Sequence, residues 1–254
     1  MYRPRIIPCL LLKNSGLVKT VKFKKPRYIG DPMNAIRIFN KKKADELIFL
    51  DIQATKEQRC INIDLVKEIG EECMMPFAVG GGIKSINDIE PLFKAGAEKI
   101  VINSALDNNP SLIKMASDHF GRQSITVSID VKKKIFGNFS VYAKNGTKLI
   151  NAKLDSILKK IEDYGAGEIF INSIDKDGTY SGYDINLIKA ISNQVNIPVI
   201  ACGGASGLND LRAVCIDGGA SAAAAGSIFV YHGRKRAVLI NYPTKEQKIK
   251  IFEK

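Results

Sequence analysis

Met75-Pro76-Phe77-Ala78-Val79-Gly80-Gly81-Gly82-Ile83 and, about 122 positions later, Ile197-Pro198-Val199-Ile200-Ala201-Cys202-Gly203-Gly204-Ala205 follow one pattern: a proline, a short apolar run and a glycine turn. The likeness extends outward. Ahead of the two copies lie Ala44-Asp45-Glu46-Leu47-Ile48-Phe49-Leu50-Asp51 and Ala166-Gly167-Glu168-Ile169-Phe170-Ile171-Asn172-Ser173; behind them lie Gly96 to Ser104 and Gly219 to Ser227. A repeat of this length holds several strand-and-helix units, so it indicates two fused half-structures rather than a solenoid. The expectation is one domain over residues 1–254, with halves of about 1–122 and 123–254.

Length and composition agree with a single core: 254 residues, 45% of them hydrophobic, suit an α/β barrel. Short apolar runs rich in β-branched residues alternate with amphipathic stretches, the pattern of a parallel sheet with crossover helices. Strands are expected over Arg5–Leu12, Glu46–Asp51, Pro76–Gly80, Lys99–Asn103, Ser124–Asp130, Glu168–Asn172, Pro198–Cys202 and Ala220–Ala225. Helices are expected to begin near Pro32, Ile61, Ile86, Pro110, Asp155, Asp184 and Gly207. Eight such units make a (β/α)8 TIM barrel. Residues 135–150 break the rhythm: two strand-like runs flank Asn145-Gly146, a favoured hairpin turn, so an inserted hairpin is expected after the fifth strand. The tail from Pro243 to Lys254 reads as a short basic helix or a frayed end.

The net charge is +12, but the basic clusters Lys41-Lys42-Lys43 and Lys132-Lys133-Lys134 have no interleaved aromatics. A solvated face explains them, as does a field that draws anionic substrates such as phosphorylated metabolites; a nucleic-acid partner is not expected. Five cysteines (Cys9, Cys60, Cys73, Cys202, Cys215) show no C-x-x-C spacing and cannot all pair within the chain, which suits a reducing cytosol. No apolar run reaches membrane-spanning length, and Met1-Tyr2-Arg3-Pro4-Arg5 lacks the apolar stretch of a signal peptide, so a cytoplasmic protein without a membrane partner is expected.

In a barrel the reactive groups come from the carboxyl ends of the strands. Asp51 ends the second strand, Asp130 the fifth, and Asp177 follows the sixth. Asp130 is the candidate acid or base, with Asp51 and Asp177 as candidate hydroxyl ligands; each could instead cap the helix that follows it. Gly80-Gly81-Gly82 and Gly203-Gly204 follow the third and seventh strands, and Asn103-Ser104 and Gly226-Ser227 follow the fourth and eighth. Glycine lets backbone N–H groups approach an anion, so two such sites across the mouth suggest a substrate with a phosphate at each end. With only His119 and His232 present, neither a zinc cluster nor a Ser/His/Asp triad is expected, and no cofactor is implied.

Arg5-Ile6-Ile7-Pro8-Cys9-Leu10, Gly80-Gly81-Gly82-Ile83, Ser128-Ile129-Asp130 and Asp177-Gly178-Thr179 together resemble HisF, the cyclase subunit of imidazole glycerol phosphate synthase, over nearly the whole chain. The resemblance implies a barrel that receives ammonia from a HisH-type glutaminase in a heterodimer and joins it to a substrate with two phosphates. It implies a catalytic pair of aspartates, of which Asp130 matches the second; the first falls at Leu11, where the family reads Cys-Leu-Asp. It further implies substrate contacts at Lys19, Asp51, Asp177 and Thr179, phosphate contacts at Gly82, Asn103, Ser104, Gly203, Gly204, Gly226 and Ser227, and an ammonia gate of Arg5, Glu46, Lys99 and Glu168. The alternative for that quartet is a ring of salt bridges closing the floor. Leu11 beside an intact quartet is similar to HisF-like proteins associated with sugar amidation in surface polysaccharide synthesis, where nitrogen passes to a separate sugar amidotransferase. Two other readings are a non-catalytic ammonia conduit that activates the glutaminase and a HisA-like isomerase that needs no ammonia.

Overall fold

The computed structural model describes residues 3–134, 138–233 and 235–253. Eight parallel strands close on themselves: strand one (Arg5–Lys13), two (Leu47–Asp51), three (Phe77–Gly80), four (Lys99–Ile102), five (Ile125–Lys133), six (Glu168–Ser173), seven (Val199–Cys202) and eight (Ala222–Ala225). Each pairs with its neighbours in the chain, and strand eight returns to strand one through the register Arg5↔Ala222 to Pro8↔Ala225. The expected (β/α)8 TIM barrel is therefore the fold observed.

Alternation of side chains along each strand divides the apolar residues into two bodies. Outward residues such as Leu10, Phe49, Val79, Ile102, Val127 and Ile171 pack under the surrounding helices. Inward residues such as Ile7, Ile48, Ala78, Val101, Phe170 and Ile200 form a separate cluster inside the cylinder. Strand eight is four alanines, poor strand formers by themselves, held by pairing to strands one and seven and fully buried.

Helices begin where short polar side chains cap free amides: Asp31 accepts from Asn34, Asn62 from Leu65 and Asp184 from Leu187, each side chain satisfying an N–H the helix leaves unpaired. The tail forms a helix over Lys245–Phe252, with Thr244 and Gln247 as a reciprocal cap; Lys254 lies outside the described residues. Of the start Met1-Tyr2-Arg3-Pro4-Arg5, the first two residues lie outside them as well.

Two hairpins rise over the carboxyl end. One follows strand one, over a segment in which no strand was expected: Gly16–Val21 and Lys24–Gly30 pair antiparallel, and the first lies along the end of strand one through Leu11↔Val18. Its turns are made of non-glycine residues in left-handed geometry, Asn14 (φ 50), Ser15 (φ 61), Lys22 (φ 51) and Phe23 (φ 60), which hides the hairpin from a search for glycine turns. The other hairpin pairs Phe139–Ala143 with Lys148–Leu149 around Asn145-Gly146. Positions 135–137 of the insertion expected over 135–150 lie outside the described residues.

Candidate active site

The carboxyl ends of the strands surround a cavity of about 120 Å³, reached by Leu11, Lys19, Asp51, Asn103, Asp130 and Asp177 together with the Gly80-Gly81-Gly82 turn. The three carboxylates that sequence placed here are in three different situations. Asp51 is held by its own turn: Oδ1 accepts from the N–H groups of Gln53 (2.9 Å) and Ala54 (3.2 Å), and Oδ2 pairs with Arg59 Nη1 at 2.6 Å. Hydrogen bonding to Asp51 holds the Arg59 guanidinium charged above its ordinary range. Asp177 clasps the first hairpin, its Oδ2 accepting from Thr20 Oγ1 (2.8 Å) and the Phe23 N–H (3.1 Å), while its carbonyl accepts from the Lys22 N–H (2.9 Å). These bonds hold the left-handed Lys22-Phe23 tip against its backbone cost.

Among the described residues Asp130 pairs with no cation. It is 6% exposed and its Oδ2 accepts one bond, from Asn103 Nδ2 at 3.3 Å. Burial, with the charge of Asp177 adding to it and the Asn103 bond opposing, pushes this carboxyl up to about 7. A group that divides its population between acid and base near neutral pH is suited to move a proton.

The two glycine turns occupy corresponding places. Gly82 (φ 67) and Gly204 (φ 106) are left-handed, and a Cβ would fall 1.8 Å from the Arg59 carbonyl oxygen in the first and 2.2 Å from that of Gly182 in the second. Both turns therefore need glycine for backbone packing, whatever they bind. The spaces beside them differ. Asn103 and Ser104 border the large cavity, whereas Gly203, Gly204, Gly226 and Ser227 border one of about 20 Å³. Lys19, 6% exposed, borders both spaces, and its Nζ stands 1.9 Å from where a Cβ on Gly226 would be. An ammonium already occupies the side of the smaller space.

Leu11 is 9% exposed and lines the large cavity, joining Leu50, Ile52 and Phe23 in an apolar wall. Thr179 does not reach either cavity; its hydroxyl donates to the Lys176 carbonyl (2.7 Å) and meets Ser181 Oγ (2.8 Å), fixing the turn after Asp177. The tight turn directs the Thr179 hydroxyl inward on its own backbone.

At the opposite pole the quartet converges into one alternating ring. Arg5 pairs with Glu46 through Nη1 and with Glu168 through Nη2; Lys99 Nζ reaches Glu46 at 3.2 Å and Glu168 at 2.9 Å. Burial works against the Arg5 charge, but the two carboxylates reverse this and hold the guanidinium above its usual range.

Sequence reading did not single out Thr20, Phe23, Arg59 or Asn172. Asn172 had a signal: it pairs in register with Asp130, so strand alternation places both on the inner face. Arg59 had none, since it lies in an irregular segment whose path only the fold determines.

Comparison with known proteins extends these observations. The family model described as "Histidine biosynthesis protein" matches residues 5–235. A Pseudomonas aeruginosa protein with the provisional name imidazole glycerol phosphate synthase subunit hisF2 is 50% identical over 247 residues, 96% of this chain and 97% of that one. A Leptospira interrogans protein with the provisional name imidazole glycerol phosphate synthase subunit HisF is 44% identical over 253 residues, covering 99% of this chain and 100% of its own. The imidazole glycerol phosphate synthase subunit HisF of Alkaliphilus metalliredigens is 42% identical over 232 residues, 91% and 92% of the two chains. With nearly full coverage from both directions, and with the closed barrel described above, the chain belongs to the histidine biosynthesis protein family, among its HisF members.

Proposed function

We propose that this chain is a HisF-type cyclase subunit of the imidazole glycerol phosphate synthase kind, which takes ammonia from a HisH-type glutaminase at the barrel floor and supplies it to a phosphorylated substrate at the mouth. The supporting observation is the combination, on one cylinder, of the Arg5–Glu46–Lys99–Glu168 ring at one pole and the cation-free Asp130 carboxyl at the other. In this reading Asp130 accepts and returns the proton displaced as ammonia adds. One phosphate rests against Gly82, Asn103 and Ser104. The other enters the Gly203, Gly204, Gly226 and Ser227 cradle and pairs with Lys19, whose ammonium shifts to admit it. Asp51 and Asp177 present their remaining lone pairs to substrate hydroxyls.

Leu11 favours a diverged form of this function. Ring closure in the family uses two acid/base groups, and a leucine transfers no proton, so ammonia delivered to this mouth serves a different acceptor. The resemblance to sugar-amidation proteins suggests a separate amidotransferase acting on a nucleotide-linked sugar, with this chain as conduit and glutaminase activator. The purified barrel, given the bisphosphorylated histidine-pathway intermediate and ammonium salt, is expected to show little or no cyclase turnover; a rate near that of an ordinary HisF removes the case for divergence. Co-purification with a glutaminase, and its activation on mixing, tests the shared premise, and failure of every glutaminase to bind defeats both forms.

A further inference from the structure

All five cysteines are free, and burial takes three of them away from reactivity: Cys60 and Cys73 are pushed up to about 11 and Cys215 to about 12. Cys9 and Cys202 are placed differently. Both belong to the cluster inside the cylinder, and both line the mouth cavity together with Lys19. They stand on strands one and seven, on either side of strand eight, whose register sets Ala224 beside Ile7 and beside Cys202. Beyond Ala224 the next inward position is Gly226, so no side chain from that strand separates the two thiols. The same gap admits Lys19: a Cβ on Gly226 would fall 1.9 Å from Lys19 Nζ and 2.9 Å from the Cys9 carbonyl oxygen. The Cys202 thiol and the Lys19 ammonium together outweigh burial and draw the Cys9 thiol below its ordinary range, while hydrogen bonding to Cys9 and burial drive Cys202 well up. Cys202 is thus the donor of the pair and Cys9 the acceptor. Cys9 is 3% exposed, so a reagent reaches it through the cavity, and a small one is favoured.

We propose that Cys9 is a modification site, a thiol that hydrogen peroxide oxidises reversibly at the mouth, with Lys19 and Cys202 as positioning residues and loss of the neighbouring anion site as the consequence. The thiolate is the nucleophile in such chemistry, and a cation and a donor beside the sulfur favour it. The Cys9 sulfur attacks one peroxide oxygen, the O–O bond breaks as the S–O bond forms, and hydroxide leaves; sulfur loses two electrons to become sulfenic acid and the peroxide gains them. Two molecules of a small thiol reverse the change, ending as their own disulfide and water. The added oxygen stands beside Lys19 and engages the ammonium that otherwise faces the space bordered by Gly203, Gly204, Gly226 and Ser227. This consequence rests on the phosphate reading of the mouth; the oxidation itself does not.

The full chain, treated with hydrogen peroxide and dimedone and mapped by mass spectrometry, is expected to carry the adduct on Cys9 at least about tenfold sooner than on Cys60, Cys73 or Cys215. A cross-link from Cys9 to Cys202 counts with the adduct, because a sulfenic acid precedes it. Lys19→Met and Cys202→Ala should each slow the reaction at least about threefold, and Cys202→Ser, which keeps a hydroxyl donor, should restore it. Labelling led by Cys60 or Cys73, or spread evenly over the thiols, overturns the site. Calorimetric titration with inorganic pyrophosphate tests the consequence: oxidised protein should bind about tenfold more weakly and recover with dithiothreitol, the loss being one charge-assisted contact. Unchanged affinity overturns the switch. If the reduced protein binds no pyrophosphate, the phosphate reading fails instead, and the labelling still decides the modification site.

Discussion

The two poles of the barrel each gather buried charged groups and treat them in opposite ways. At the floor every charge has two partners of opposite sign, and the ring is closed. At the mouth Asp51 and Asp177 are engaged by an arginine and by a hairpin, and Asp130 receives only a neutral amide. In a medium that solvates charge poorly, partnered ions keep their ordinary states and an unpartnered one shifts toward neutrality. The carboxyl suited to move a proton near neutral pH therefore stands at the pole where compensation is incomplete.

The sharpest way to break this contrast is Asp130→Asn, expected to lower any ammonia-dependent transfer at the mouth about 10²–10⁴-fold, the usual contribution of a general acid or base. Stability should move the other way. The folded Asp130 carboxyl titrates at about 7 against an ordinary 3.8, so its protonated form favours the fold. That contribution is complete below the ordinary value and is lost as pH rises toward about 7. Urea unfolding at pH 4 and pH 8 should therefore show wild type losing ground to Asp130→Asn as pH rises; parallel curves would show that Asp130 is not desolvated.

A change of the next size is expected at the floor. Glu46→Gln leaves Arg5 and Lys99 sharing one carboxylate and should cost about 3 kcal/mol in chemical denaturation, the range for removing one member of a buried ion group. A loss below about 0.5 kcal/mol would mean that solvent screens the ring as it does surface pairs.

Leu11→Asp makes the mouth more like the floor in charge density. It should raise cyclase turnover with ammonium at least about tenfold if proton transfer is what the mouth lacks, and leave it unchanged if the apolar wall of Leu50, Ile52 and Phe23 also excludes the substrate. The smallest effect is expected from Lys19→Met: calorimetric titration with inorganic pyrophosphate should show affinity reduced by roughly tenfold, the worth of one charge-assisted contact. An increase in affinity would mean that Lys19 blocks the smaller cradle instead of serving it.

The eight barrel strands were legible because strands covered on both faces are apolar runs bounded by turn residues. Helix starts were legible from their caps. The hairpin over Gly16–Gly30 was not, since its second strand is mostly charged and exposed and its turns contain no glycine at the left-handed positions. At the site, motif order singled out Asp130, but that Asp51 is bound to Arg59 and that Thr179 bonds its own turn depended on segments whose course no local pattern fixes. The meeting of Cys9, Cys202 and Lys19 could not be read at all, because it depends on the course of the first hairpin and on the gap that Gly226 leaves.

Sequence by itself determined the alternation of strand and helix, the long repeat, and which residue types stand at each strand end, because these are properties of spacing along one chain. Tertiary structure alone decided which carboxylate is left without a cation, which cradle Lys19 enters, and that four charges far apart in the chain close into one ring. Pairing and desolvation arise between segments distant in sequence, and they come into being only when the cylinder closes.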